Sequence, residues 1–339
     1  GEVTVSGTGG TTPYEYNIGG GTYSSSSVFK SLQAGTYTLG VKDKNGCTKT
    51  ISVVVNEPSA ALLVSVSSTT HVDCKYNSTG SVTVTGSGGT QPYTFNIAGG
   101  SYSSASVFGG LSAGNYVIGI KDANGCTSSI TVTITEPSAA LSGNTTQINV
   151  SCNGQADGAI TLTPSGGTSS YKFYWTGPGT FTSTNQSPSG LIAGTYTYEI
   201  TDANGCKKSS SLTITEPSVL TVSVSSAINV LCKGASTGSL TLSASGGNGA
   251  YSYNLNGGTY SSSSNIGGLA AGTYTIGVKD KNGCTSSSTY TITEPAFALN
   301  VSSVSTDVDC NGNSTGKFVL TGSGGTSAYS YSINSGTFG

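Results

Sequence analysis

The chain repeats itself, and the length of the repeat limits what it can fold into. Ala-Gly-Thr-Tyr stands at Ala34–Tyr37 and returns at Ala193–Tyr196 and Ala271–Tyr274, with Ala-Gly-Asn-Tyr at Ala113–Tyr116. Asp-x-Asn-Gly-Cys closes on Cys47, Cys126, Cys206 and Cys284, and Glu-Pro falls at Glu57–Pro58, Glu136–Pro137, Glu216–Pro217 and Glu294–Pro295. Each landmark advances by 79, 80 and then 78 residues. The 339 residues therefore hold four units of nearly constant length and the opening of a fifth. Solenoid repeats run to about 20–45 residues, so these units are too long for one. They are long enough for a small sandwich with its own core. Two or three domains of ordinary size give way to a larger number of small ones.

Within a unit the apolar residues recur at every second position. Ser81–Thr85 reads Ser-Val-Thr-Val-Thr, a strand with one apolar face. Gly86–Pro92 is a turn cluster, and Tyr93–Ile97 and Tyr116–Ile120 alternate again. Asp122-Ala-Asn-Gly125 predicts a two-residue Asn-Gly hairpin turn. Ile130–Thr135 returns and stops before Pro137, which cannot donate to a ladder. No stretch carries a helical period. The expected fold is all-β, a tandem array of small immunoglobulin-like β-sandwich domains of about 79 residues each, end to end. Tyr37, Tyr116, Tyr196 and Tyr274 each stand two residues after a Gly and open an alternating strand. They are read as tyrosine corners, whose hydroxyls turn back to nearby backbone. The alternative is a row of sugar-stacking rings.

Composition removes several function classes. Charged residues make up 8% of the chain, all 13 basic residues are Lys, and the net charge is −2. No basic stripe exists to hold phosphates, so nucleic acid is not an expected partner. No run approaches the roughly 18–20 apolar residues of a membrane-spanning helix. A single His and thinly spread carboxylates leave little for acid–base catalysis, and no enzyme activity is expected. Glu57, Glu136, Glu216 and Glu294 have no second acid at fixed spacing, as a glycosidase pair would need. The Gly-rich runs Gly19–Gly21 and Gly86–Gly89 open no helix and read as turns. The chain has no Met and starts inside a unit, which reads as a segment of something longer.

Eight cysteines, two per period, read as structural disulfides and place the protein in an oxidising compartment or outside the cell. One set ends Asn-Gly-Cys (Cys47, Cys126, Cys206, Cys284), and the other is Cys74, Cys152, Cys232 and Cys310. Two regular pairings are open. The long one joins Cys74 to Cys126 and leaves Cys47 and Cys310 over. The short one gives 47–74, 126–152, 206–232 and 284–310 and satisfies all eight. If the strand after Glu-Pro climbs back beside the one before it, geometry favours the short pairing. If that strand opens the next sandwich instead, the two cysteines lie a sandwich length apart, far beyond the roughly 7 Å Cα limit. The short pairing sets the expected boundaries at 1–76, 77–154, 155–234, 235–312 and a partial 313–339.

The remaining candidates have plain readings. Asp43, Asp122, Asp202 and Asp280 recur in the Asn-Gly loops and read as turn acceptors. Calcium is the alternative cofactor, but it wants six to eight oxygens. The nearest cysteines are 26 residues apart, which is not zinc spacing. His71, whose counterparts are Asn149, Asn229 and Asp307, reads as a surface strand residue. Trp175 stands where other units have Ile97 and Leu255. It fills a variant core or, with Phe181, forms an exposed binding patch.

Gly-Gly-Thr-x-x-Tyr, Leu-x-Ala-Gly-Thr-Tyr, Asp-x-Asn-Gly-Cys and Ile-Thr-Glu-Pro together resemble the SprB-type repeat of very large cell-surface adhesins of gliding Gram-negative bacteria. The third unit, with Tyr174-Trp175-Thr-Gly-Pro-Gly and Phe181-Thr-Ser-Thr, resembles a common variant of it. The resemblance implies outer-surface display after type IX secretion. It also implies a stalk carried along the cell by a gliding motor that grips the substratum. Its partners would be neighbouring repeats of the same chain, the substratum or a surface polysaccharide, and the motor and secretion machinery through regions outside this segment. The competing expectation is an array of polysaccharide-binding modules.

Overall fold

Alternation at this scale produces strands, and a computed structural model of residues Gly1–Gly339 contains strands and no helix. The chain divides into two compact units, Gly1–Ala140 and Leu141–Gly339.

The second domain of the first unit shows the plan. Its strands are Leu63–Thr70, Gly80–Ser87, Thr94–Ile97, Val107–Leu111, Gly114–Lys121 and Thr127–Ile134. The first, second and fourth form one antiparallel sheet; the third, fifth and sixth form the other. This is the two-sheet order of an immunoglobulin-like sandwich. The inward positions are the alternating apolar ones, because successive side chains of a strand point to opposite faces. Val82 and Val84 of one sheet meet Phe95, Ile118, Ile120, Val132 and Ile134 of the other, and Val64 and Val72 complete the core. Each such side chain contributes about 1.5–3 kcal/mol when fully buried, so three or four of them equal the net stability of a typical domain.

The same plan recurs twice in the second unit. One core gathers Val150, Ile160, Leu162, Trp175, Leu191, Tyr196, Tyr198, Ile200 and Ile214. The other runs from Leu220 and Val222 to Ile276, Val278 and Ile292. Residues 1–58 supply a sheet of Glu15–Ile18, Gly35–Lys42 and Thr48–Val55, and the last residues supply the pair Asn300–Thr306 with Lys317–Ser323.

Two expectations are corrected here. The cuts after residues 76, 154 and 234 fall inside cores, since Val64 and Val72 pack with Val82, Val150 with Ile160, and Val222 and Val230 with Leu240. The cut after 312 separates Asn300–Thr306 from its partner Lys317–Ser323. The strand after Glu-Pro opens the next sandwich and does not fold back on the previous one. The hairpin turn is also longer than expected. Lys121 is the last residue paired, with Thr127, so residues 122–126 form a five-residue loop. Only Gly125 takes a positive φ there, at 86°. The Asp122 carboxylate organises the loop where a tight Asn-Gly turn was expected.

Glycine is obligatory at one recurring corner. At Gly88, φ is +68°, and a Cβ would stand 2.0 Å from the Ala61 carbonyl oxygen. Gly246 repeats this against Val219 at 1.9 Å. This close crossing of two backbones is the physical content of the Gly-Gly pair in the repeat.

Candidate functional site: the repeat junction

Most of the chemistry-bearing side chains are spent on their own domain. Asp122 accepts the N–H groups of Asn124 and Cys126 on Oδ1, at 3.0 and 2.8 Å, and that of Thr90 on Oδ2 at 3.0 Å. Asp43 does the same with Asn45, Cys47 and Thr11, Asp202 with Asn204, Cys206 and Thr168, and Asp280 with Asn282, Cys284 and Asn248. These carboxylates clasp the Asn-Gly loop to the loop between the second and third strands. Backbone N–H groups occupy both oxygens in every copy, which leaves poor ligands for calcium, and no cluster of three or more metal-ligating residues forms.

The clasp sets the acidity of these groups. The Thr11 N–H, then that of Cys47, holds Asp43 below its ordinary 3.8. For Asp122 the Thr90 N–H is the chief cause, acting against burial. At Asp280 burial is the largest influence and pushes the value up, but bonds from Asn248, Cys284 and Asn282 together outweigh it. A carboxylate whose folded value is depressed stabilises the fold above its unfolded value and loses that contribution as pH falls through the folded one. The denaturation midpoint of the chain should therefore hold level from neutral pH to about 5 and fall below 3.8. Asp122→Asn should reduce that acid-side slope in its own domain in denaturant titrations at stepped pH, while Asp73 and Glu136, also held below their ordinary values by hydrogen bonds, keep the rest of it.

The four corner tyrosines donate to carbonyls four residues upstream: Tyr37 to Gln33, Tyr116 to Ser112 and Tyr196 to Ile192, each at 3.0 Å, and Tyr274 to Ala270 at 2.9 Å. Tyr196 is buried, which pushes its hydroxyl up. A second set of clips was not anticipated. Tyr93 donates to Gly88 at 2.5 Å, Tyr171 to Gly166 and Tyr251 to Gly246 at 2.7 Å, and Tyr329 to Gly324 at 2.6 Å. The fixed five-residue spacing of Gly and Tyr in the Gly-Gly motif was its only signal in the sequence. His71 accepts the Thr135 N–H through Nδ1 at 3.1 Å, as Asn149 and Asn229 do for Thr215 and Thr293.

Trp175 is fully buried, with its ring 5.2 Å from that of Tyr198, so it cannot contribute to an exposed patch. Phe181 packs edge-on against Tyr196 at 5.2 Å beside the same core. The patch expected of these two residues does not exist, because Trp175 points from its strand Lys172–Thr176 into the core, against Ile160, Leu162 and Leu191 of the opposite sheet, and Phe181 packs on the same core.

What faces outward chemically is the junction. The Glu of Glu-Pro reaches back to the loop after the first cysteine of its own domain. Glu136 accepts Lys75 Nζ and the Tyr76 N–H, both at 2.8 Å; Glu216 accepts the Gly154 N–H at 2.6 Å, and Glu294 that of Gly234 at 2.7 Å. That cysteine loop therefore sits at the downstream end of each sandwich, and the Asn-Gly-Cys loop sits at the upstream end. In the second unit the two meet. Cys152 of one domain is bonded to Cys284 of the next, 132 residues on, with Cα atoms 5.6 Å apart. Asn248 and Asn282 donate to the Ser151 carbonyl at 2.8 and 3.3 Å. At the following junction Thr326 donates to Leu231, the counterpart of Ser151, at 3.4 Å.

This overturns the expected pairing. Cys74 and Cys206 are also in disulfides. Cys47, Cys126, Cys232 and Cys310 are free and exposed, so none of 47–74, 126–152, 206–232 and 284–310 forms. The folded-back hairpin that would have brought them together is absent, since Ser142–Ile148 pairs with Gly158–Ser165 and Asn300–Thr306 with Lys317–Ser323. The long pairing, Cys74 to Cys126, also fails with Cys126 free. Its two loops lie at opposite ends of one sandwich.

Repeated sandwiches with clasped loops and a bonded junction define a tandem β-sandwich repeat protein. The SprB repeat family model matches residues 66–101, 144–180, 224–260 and 302–338. The chain is a SprB-type repeat protein, with each match starting inside the opening strand of a sandwich. No curated protein matches it by sequence. Among solved structures it is similar to a tetra-tandem repeat in the extending region of a large adhesion protein, at 16% identity, covering 84% of this chain and 93% of that one with a TM-score of 0.29. It is also similar to protocadherin gammaB7 EC3–6 at 13% identity, covering 82% and 92%, TM-score 0.27. The N-terminal eight Ig domains of Down syndrome cell adhesion molecule match at 12% identity, covering 87% and 47%, TM-score 0.22. The fold class rests on the strand order and cores described above.

Proposed function

We propose that this chain is a non-enzymatic, extracellular repeat region of a large cell-surface adhesin, a stalk that spaces a gripping part from the cell in surface attachment and gliding. The observation that carries this reading is the junction, where one domain is covalently bonded to the next through Cys152 and Cys284. The loop carboxylates and corner hydroxyls are consumed by their own backbone, which suits a spacer better than a catalyst. Disulfides suit an oxidising compartment. Type IX secretion, a gliding motor, and a substratum or surface polysaccharide are the partners this reading supplies.

The test is live imaging of cells bearing the full-length protein with a fluorescent antibody against these repeats. A label that travels along the moving cell supports the gliding stalk; a label that stays fixed overturns the gliding role. One observation favours a second reading, an array of polysaccharide-binding modules. Lys42, Lys121 and Lys279 stand over the rings of Tyr23, Tyr102 and Tyr260 at 4.9, 4.8 and 4.5 Å, a recurring aromatic surface. Retention of the isolated repeats on a glycan array would favour that reading, and a clean blank would favour the plain stalk.

A further inference from the structure

The junction bond joins two particular strands, and which two decides how the array carries tension. In the domain that begins at Leu141, the opening strand Ser142–Ile148 runs the length of the sandwich. At its start Leu141 lies beside Asp202 and the Asn-Gly loop, both within contact of Gly167. At its end the Val150 N–H donates to Thr215, next to the Glu-Pro exit. Cys152 follows directly. Its partner Cys284 stands immediately before Thr285–Ile292, the closing strand of the next domain, which runs down to Glu294–Pro295 and out. A covalent line thus leads from the entrance of one domain to the exit of the next through one opening strand, one disulfide and one closing strand. The 131 residues between the two cysteines lie off that line.

We propose that the Cys152–Cys284 bond makes this pair of domains a covalent cable that cannot lengthen by unfolding under load. The two strands in the line are already extended. A strand rises about 3.2–3.4 Å per residue, against a limit of about 3.3–3.6 Å for a fully stretched chain, so pulling has almost no slack to remove. Unfolding the rest of either sandwich releases no length, because both ends of that segment are tied at the bond. Without the bond the same pull peels each domain and releases the whole segment. The biological use of the cable rests on the stalk reading above; its mechanics do not.

The experiment is single-molecule stretching of the full chain, with handles at Ala140 and Ala296, exposed residues that bracket the two domains, each replaced by an azide-bearing residue. Under oxidising conditions the trace should end after about 80–90 Å, the reach of the few residues outside the loop. After phosphine reduction, which returns both sulfurs to thiols, unfolding steps should add about 440–470 Å at roughly 3.3–3.6 Å per residue. The Cys152→Ser/Cys284→Ser protein should give the long trace without reductant. A long trace from the oxidised wild type, or identical traces before and after reduction, overturns the proposal. If the double variant does not fold, the oxidised and reduced wild type still decide it. A short oxidised trace beside a motionless label on cells would keep the cable and remove the gliding role. A long oxidised trace beside a travelling label would do the reverse.

Discussion

Trp175→Ala destabilises the domain that begins at Leu141 by about 3–5 kcal/mol, the usual cost of emptying a large aromatic site in a core. The ring has no exposed surface and touches both sheets, with Tyr198 at 5.2 Å and Ile160, Leu162, Leu191 and Ile214 in the same cluster. A domain this small has net stability at the lower end of the 5–15 kcal/mol range, so the loss removes most of it. Trp175→Phe separates two contributions. The indole Nε1 has no hydrogen-bond partner, and an unpaired buried donor costs about 1–3 kcal/mol. Phe gives up ring area but also that penalty, so its effect stays within about 1–2 kcal/mol. Circular dichroism in a denaturant series measures both variants. If Trp175→Ala left the midpoint unchanged, the ring would not be a core residue.

Loss of the Cys152–Cys284 bond should cost about 5 kcal/mol, shared between the two domains it ties. In the chain-entropy account a closed loop of about 100 residues contributes roughly 4.7 kcal/mol, and the benefit grows slowly with length; this loop spans 132. The bond also couples the domains, because neither can expand freely while the loop is closed. In the oxidised protein the two should unfold together at high denaturant. In Cys152→Ser/Cys284→Ser they should part, with the Leu141 domain, reported by the fluorescence of the single Trp, leaving at a lower midpoint. Unchanged midpoints with and without reductant would show that the junction bond does not stabilise the array.

The local half of this architecture could be read from residues alone. The period came from four matched landmarks, and the all-β class from alternation such as Val82, Val84 and Ile118, Ile120, because the side-chain period of a strand is two and the buried face must be apolar. The Asp of the Asn-Gly loop read as a turn acceptor, since its partners lie two and four residues away, and Asp122 bonds the N–H groups of Asn124 and Cys126. Contacts that close within a few residues are written in the spacing. Three features were decided elsewhere. Trp175 shares the strand parity of Phe173, but it was the opposite sheet, with Ile160, Leu162 and Leu191, that closed over it and ruled out an exposed patch. The domain boundary moved from the cysteine to the Glu-Pro turn, because the strand after Pro completes a core with residues that follow it. The cysteine partner lay 132 residues away, further than either pairing weighed from the sequence. A disulfide needs two Cα atoms within about 7 Å, and only the stacking of one sandwich's downstream end on the next one's upstream end supplies that approach.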